Sequence, residues 1–520
     1  MNHIHVISPV ISPSLGESLL TAYPAAALTS SNISFSFLDH GPDSLESMYE
    51  DAVAVPGTVL RALEAEQAGA NAIIINCMND PALEAVRSVV SIPVVGAAQS
   101  TMLLTALLAQ KFSFISTSFR DIHPFDILVK RYGLQNKFAS IRWVSIPVLD
   151  LQSHKEELIN AIVDQATEAV EKDGAHAIIF GCTVMRVVIK EVKQRLLERG
   201  IDIPIPDPAV VPLKWAETLI ALGLSHSQRT YPLVKGEDLL EGPSRLGKPI
   251  KVTPGQFLSK HRLMVIVPAV GGTRTEGWLH TTSEGYCSAA RLSDHVEISV
   301  IEEGPSQLIT PYHKAMAVPG LLRLARQAER SGVNAILIDC MDDPGLDAAR
   351  EALDIPVIGP MQASAFLAAS IARKVSIIGT DSVTLDILED AFNESGLSGK
   401  LSSVRGIGLS PEEIDNHRDK ARGAMVREAR LAIQEDGAHA ILPGCTDMIG
   451  MAKSVREALL LEGLDVPVIE PTAAAVAIAE MICDLGLSHS KRTWPKPPIK
   501  SLPGFRDLEF AKSAQRDAIQ

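Results

Sequence analysis

The chain has 520 residues, of which 46% are hydrophobic and 21% charged, and its formal net charge is −14. This length exceeds a single compact core and this composition excludes disordered and fibrous classes, which leaves a soluble globular protein of about two to four domains. An acidic balance with no long basic run gives a nucleic-acid backbone no electrostatic footprint, and no run of about 18 apolar residues offers a membrane span.

In chain order, residues 4–10 read as a short buried strand ended by Pro9, with a helix opening over 14–20. A second strand is expected over 35–39. Leu60, Leu63 and Ala68 give helical spacing toward Gly69. The next strand is Gly-Ala-Asn-Ala-Ile-Ile-Ile-Asn-Cys at 69–77, after which Asp80 and Pro81 are expected to cap and open a helix. Strands over 92–96 and 112–117 flank an apolar helix over 101–110. The theme repeats through a strand over 142–149, a helix over 155–172, a strand ending at Cys182, and Ile203-Pro-Ile-Pro. Strands alternating with helices at these lengths predict an α/β fold with mainly parallel sheets.

The strand at 69–77 recurs as Gly174-Ala-His-Ala-Ile-Ile-Phe-Gly-Cys182, Gly332-Val-Asn-Ala-Ile-Leu-Ile-Asp-Cys340 and Gly437-Ala-His-Ala-Ile-Leu-Pro-Gly-Cys445. The terminal cysteines lie 105 residues apart within each half and 263 residues apart between halves, so one duplication is nested inside another. The expected organisation is a first unit at 1–232, a linker at 233–260, a second unit at 261–495 and a tail at 496–520, each unit holding two pseudo-symmetric α/β lobes. Gly223-Leu-Ser-His-Ser-Gln-Arg-Thr-Tyr-Pro232 and Gly486-Leu-Ser-His-Ser-Lys-Arg-Thr-Trp-Pro495 close the two units.

Several motifs are set aside on physical grounds. Gly242-Pro-Ser-Arg-Leu-Gly-Lys248 misses a phosphate-binding loop, because Pro249 stands where a magnesium-binding hydroxyl belongs and no strand leads into it. Gly271 to Gly277 reads as a flexible loop near a site, since its counterpart in the first unit is not glycine-rich. His176 and His439 read as packed, hydrogen-bonded histidines, with no second histidine at metal-ligand spacing. Six cysteines without a Cys-x-x-Cys pair exclude a disulfide scaffold and zinc or dithiol chemistry, and Cys287 and Cys483, outside the repeat, read as bystanders.

The four repeated cysteines carry the chemistry. One buried thiol is ordinarily a small apolar residue, but four at equivalent strand ends predict two clefts, each with two thiols facing one another. A helix N-terminus after the strand would favour the thiolate.

The chain resembles the aspartate/glutamate/hydantoin racemase superfamily, most closely its hydantoin and allantoin racemase branch. The carriers in the second unit are Ala317-Val-Pro-Gly320, Asp339-Cys-Met-Asp-Asp-Pro-Gly345, Ile355-Pro-Val-Ile-Gly359, Pro443-Gly-Cys-Thr-Asp-Met448 and Val466-Pro-Val-Ile-Glu470. In the first unit they are Ala54-Val-Pro-Gly57, Asn76-Cys-Met-Asn-Asp-Pro81, Ile92-Pro-Val-Val-Gly96 and Gly181-Cys-Thr-Val-Met185.

The resemblance implies a racemase or epimerase without metal, pyridoxal phosphate or nucleotide, acting on a small hydantoin-like or amino-acid-derived substrate. Cys77 with Cys182, and Cys340 with Cys445, would exchange protons on opposite faces of one carbon. Asn79, Gln99, Thr117 and Thr183, with Asp342, Gln362, Thr380 and Thr446, would contact substrate. The alternatives are a cysteine-dependent maleate isomerase-like or arylmalonate decarboxylase-like reaction, or one unit serving as a non-catalytic scaffold or ligand sensor. The first strand departs from the family's Asn-Pro-Asn-Thr-like turn, with Ser8-Pro-Val-Ile11 and Val267-Pro-Ala-Val270 in its place. The expected partners are a small-molecule substrate and either a second copy of the chain or the sister unit, with no nucleic acid and no membrane. Met1 to Pro9 lacks the basic and apolar regions of a secretory leader, so the expected location is the cytoplasm.

Overall fold

The computed structural model describes residues 1–11, 17–234, 250–252, 260–270, 276–498 and 508. The glycine-rich stretches at 242–248 and 271–275, and the tail beyond 498 save residue 508, lie outside the described residues.

Four mainly parallel sheets carry the fold. The first unit contains β1 (Asn2–Ser8), β2 (Ser31–Phe37), β3 (Ala72–Ile75), β4 (Val94–Gly96), β5 (Phe112–Ser116), β6 (Phe138–Trp143) and β7 (Ala177–Phe180). A short β8 (Ile250–Val252) follows, then β9 (Arg262–Val267), β10 (His295–Val300), β11 (Ala335–Ile338), β12 (Val357–Ile358), β13 (Val375–Gly379), β14 (Leu401–Gly406) and β15 (Ala440–Pro443). The sheet orders are β4-β3-β1-β2-β8 and β6-β5-β7 in the first unit, and β12-β11-β9-β10 and β14-β13-β15 in the second. Every described pairing is parallel except β2 with β8. The apolar runs that end in cysteine, β3, β7, β11 and β15, are buried at every residue, as strands covered on both faces require.

Within the stretch expected to be linker lies β8, whose Ile250, Lys251 and Val252 pair antiparallel with Phe35, Ser34 and Ile33. Two expectations are corrected. Ile203-Pro-Ile-Pro forms no strand. Its prolines cannot donate to a ladder, although the Pro204 carbonyl still accepts from Ile178 N at 3.1 Å. After Cys77 the chain does not enter a helix at Asp80, which has a left-handed φ of 46°. The helix there is only Leu83–Arg87. Asp80 instead caps the following helix, Ala97–Leu108, accepting from Ala98 N at 2.9 Å and Gln99 N at 2.8 Å. A Cβ on Gly96 would stand 2.5 Å from Asp80 Oδ1, so this cap requires glycine there.

The units meet through helices buried on all sides. Ala97–Leu108 is wholly buried, Pro360–Ile371 is buried except at Gln362, and the two pack on one another. Around them the contacts are reciprocal. Ser227 N donates to Ile371 O and Ser490 N to Leu108 O, both at 2.8 Å. Thr230 Oγ1 bonds His439 Nδ1 at 2.8 Å, and Thr493 Oγ1 bonds His176 Nδ1 at 2.9 Å. Each closing segment therefore docks on the second lobe of the other unit, and the two repeat histidines are satisfied across that boundary. An ionic cluster without such symmetry is buried beside it, where Lys214 Nζ lies 3.1 Å from both Glu217 and Asp484. Among the described residues, no helix is long and apolar enough to cross a membrane.

Candidate active site

Each unit has one cleft between its two sheets, and each cleft is lined by two cysteines. Cys77 follows β3 in a turn closed by Asp80 N donating to the Cys77 carbonyl at 3.1 Å; Cys340 follows β11 in the same turn, closed by Asp343 N. Cys182 and Cys445 follow β7 and β15 and head short 3₁₀ turns, Thr183–Val188 and Thr446–Met448. The glycine before each of these two is required by packing. A Cβ on Gly181 would stand 2.5 Å from Ser116 Oγ, and one on Gly444 would stand 2.9 Å from Gly379 Cα.

In the first unit the cleft encloses about 620 Å³ of empty space and brings together Cys77, Asn79, Thr117, Cys182 and Thr183, with Ser8 and Pro9 in its wall. In the second it encloses about 740 Å³ and brings together Cys340, Asp342, Thr380, Cys445 and Thr446, with Val267 and Pro268 in the wall. The substituted first-strand turns thus border the clefts.

Gln99 and Gln362, expected among the substrate contacts, line neither cleft. Gln99 Oε1 accepts from Arg87 Nη2 at 2.8 Å, and Gln362 Oε1 from Arg350 Nη2 at 2.6 Å. Both arginines are fully buried, and each also donates to a strand carbonyl, Val94 O and Val357 O. The glutamines are committed to satisfying these interior cations.

All four thiols are half-buried and unbonded to one another. Burial, then the Asp51 carboxylate, pushes the Cys77 thiol well up, while an amide donor from Asn79 works the other way. Burial raises Cys182 to about 12, opposed by amide donors from Val184 and Met185. Cys340 is raised by burial and by Asp342. No helix starts at Cys77 or Cys340, whereas Cys182 heads a 3₁₀ turn whose amides oppose the upward push of burial without overcoming it.

Sequence reasoning missed the groups that make the clefts unlike one another. In the first unit Asp51, in the first turn of the helix Met48–Gln67, accepts from Asn79 Nδ2 at 3.1 Å. At the equivalent positions of the second unit, Lys314 of the helix Pro311–Arg330 pairs with Asp342 at 2.8 Å. An anion with an amide has become a cation with an anion. Asp121 lines the first cleft and holds Ser116 Oγ at 2.5 Å, where the second unit has Thr384. Cys445 Sγ donates to Asp447 Oδ2 at 3.6 Å, and Asp447 Oδ1 accepts from the Trp278 indole at 2.6 Å; the first unit has Val184 at that position. The 263-residue offset was the signal that could have found these pairs.

The sequence profile of the Asp/Glu/Hydantoin racemase family matches residues 4–213 and 283–479. The chain is 36% identical over 213 residues to a hydantoin racemase of Rhizobium meliloti, covering 41% of this chain and 86% of that protein. It is 31% identical over 246 residues to a hydantoin racemase of Pseudomonas sp. strain NS671, covering 47% of this chain and 97% of that protein. Among solved structures it is similar to an allantoin racemase from Klebsiella pneumoniae, at 27% identity and a TM-score of 0.44, covering 48% of this chain and 99% of that one.

Proposed function

From the premise that the chain belongs to the Asp/Glu/Hydantoin racemase family, we propose that its units are cofactor-independent racemases or epimerases. They act at an acidic carbon beside a carbonyl, on a hydantoin-like or amino-acid-derived substrate, with Cys77 and Cys182 as one proton-transfer pair and Cys340 and Cys445 as the other. The observation that carries this reading is the pair of thiols lining each cleft from its two lobes. Inverting a carbon acid needs a base on one face and an acid on the other, and two thiols meet that need without rotation of the intermediate.

The raised thiol pKa values are consistent with this chemistry. A thiolate formed in a half-buried cleft is a stronger base than one in water, which suits a weakly acidic C–H. The amide donors at Asn79, Val184, Met185 and Asp342 offset part of the cost of forming it. In the second unit, Cys445 donates to Asp447, a contact available to the sulfur that acts as proton donor of the pair. Thr183 and Thr446 are hydroxyl donors for the enolate that develops.

The test is deuterium wash-in from D₂O, screened over 5-substituted hydantoins, allantoin and free amino acids. Exchange at the carbon beside the carbonyl is expected for one of these classes and is lost when all four cysteines are changed to serine; exchange that survives the fourfold change contradicts the reading. The contrast between Asp51 with Asn79 and Lys314 with Asp342 favours a second reading, in which the units differ in substrate or one binds without turnover. Double-cysteine variants confined to one unit separate these: equal residual rates exclude it.

A further inference from the structure

A third cavity lies between the units, away from both thiol clefts, and encloses about 1420 Å³ of empty space. Its inner wall carries Lys400, which ends the 3₁₀ turn Ser398–Lys400 and is only 9% exposed. The lysine stem rests against the other unit: a Cβ on Gly133 would stand 3.4 Å from Lys400 Cε. The pseudo-equivalent Lys137 rests on Gly396 in the mirrored arrangement. There the likeness stops. Lys137 Nζ donates to Gln110 Oε1 at 3.0 Å, but the position equivalent to Gln110 is Arg373, so Lys400 faces a cation where its twin has an acceptor. Among the described residues, the Lys400 ammonium has no hydrogen-bond or ion-pair partner.

The Lys400 stem is nine-tenths buried while its ammonium meets the cavity without a protein acceptor, which leaves that charge for a ligand or solvent to satisfy. Burial, and then Arg373 and Arg87, lower the Lys400 pKa to about 8, which leaves it charged at neutral pH. The charged groups of the wall are mostly of the same sign. Lys130, Arg131 and Arg373 line it with Glu84 as counter-charge, and Arg373 and Glu84 pair at 3.0 Å. The Tyr231 hydroxyl, which accepts from Arg87 at 3.2 Å, keeps its own proton to donate. In a chain of net charge −14 this is a local excess of cations, in which Arg373 and Lys130 are paired with Glu84 and Asp126 and Lys400 is not.

We infer that the cavity between the units is a binding site for a small multiply charged anion, a phosphate- or carboxylate-bearing molecule, with Lys400 as its buried anchor. One such site exists per chain, because Gln110 already satisfies Lys137 on the other side. The inference does not depend on the chemistry of the thiols.

The experiment is isothermal titration calorimetry of the full chain with pyrophosphate and, separately, citrate, in buffer at physiological salt so that non-specific attraction is screened. One site per chain is expected for at least one of the two, and the tighter anion identifies the head group. Lys400→Met should weaken that binding about 10- to 100-fold, the range for losing a charge-assisted hydrogen bond, while Lys400→Arg retains it. Arg131→Gln, on the exposed rim, should weaken it by a few-fold and serves if Lys400→Met fails to fold. No heat with either anion at millimolar concentration, two equal sites per chain, or rim and anchor variants that bind like the parent would overturn the proposal.

Discussion

Replacing Lys214 with Met should destabilise the chain by about 3 kcal/mol, at the low end of the range for removing one partner of a buried ion pair. Lys214 is 2% exposed, and its ammonium lies 3.1 Å from Glu217, itself 3% exposed, and 3.1 Å from the fully buried Asp484 of the other unit. Asp484 keeps Arg291 and His261, each at 2.9 Å. Among the described residues Glu217 keeps the Leu28 amide at 2.8 Å and the nearby Arg291 charge but loses its ion pair, so most of the penalty falls on its partly compensated carboxylate. Met fills a similar volume, which keeps cavity formation out of the result. The assay is urea unfolding of the full chain followed by tryptophan fluorescence, with Trp215 as a local reporter through its bond to Ser370 across the unit boundary. The midpoint should fall with an unchanged slope. The comparison is Lys155→Met, which breaks a 2.9 Å pair with Glu191 whose side chains are 50% and 42% exposed, and should cost under about 1 kcal/mol. If the two variants unfold alike, the buried cluster does not hold the units together in the way described.

Asp51→Asn removes the anion that, after burial, most raises Cys77; iodoacetamide alkylation of Cys77, read by peptide mass spectrometry at pH 8, should accelerate about three- to tenfold. With Cys182 raised to about 12, its alkylation in the free protein should climb about tenfold per pH unit from 7 to 10, since thiolate grows as pH approaches the pKa from below. A plateau near pH 8 would contradict that value. Gly96→Ala drives a Cβ to 2.5 Å from Asp80 Oδ1 and breaks the cap on Ala97–Leu108; a loss of about 1–3 kcal/mol is expected from the same urea titration.

The nested repeat made the fold class legible, because an apolar run with a thiol at its end, four times over, can only be a buried strand reused at equivalent sheet positions. The distant pairing that each element makes was not legible. Asp80 has the local chemistry of a cap for the next few residues, yet its backbone turns left-handed and its carboxylate serves a helix that starts 17 residues later. Gln99 and Gln362 stand in the first helical turn after a strand, where a substrate contact is a fair expectation, but Arg87 and Arg350 are buried against all prior for arginine and claim them. Asp51 and Lys314 lie 26 residues before their cysteines on a different element, and only comparison of the two units shows that 51 changes together with 79 as 314 does with 342.

The two-thiol account is tested most directly by early-time racemisation of one enantiomer of 5-methylhydantoin in D₂O, with deuterium read separately in product and in recovered substrate. Removal of a proton on one face and delivery from the other thiol predicts a product that carries solvent deuterium while the remaining substrate stays largely protiated. A product that keeps the substrate's own proton would mean that one base serves both faces, and the pairing of Cys77 with Cys182 and of Cys340 with Cys445 would be wrong.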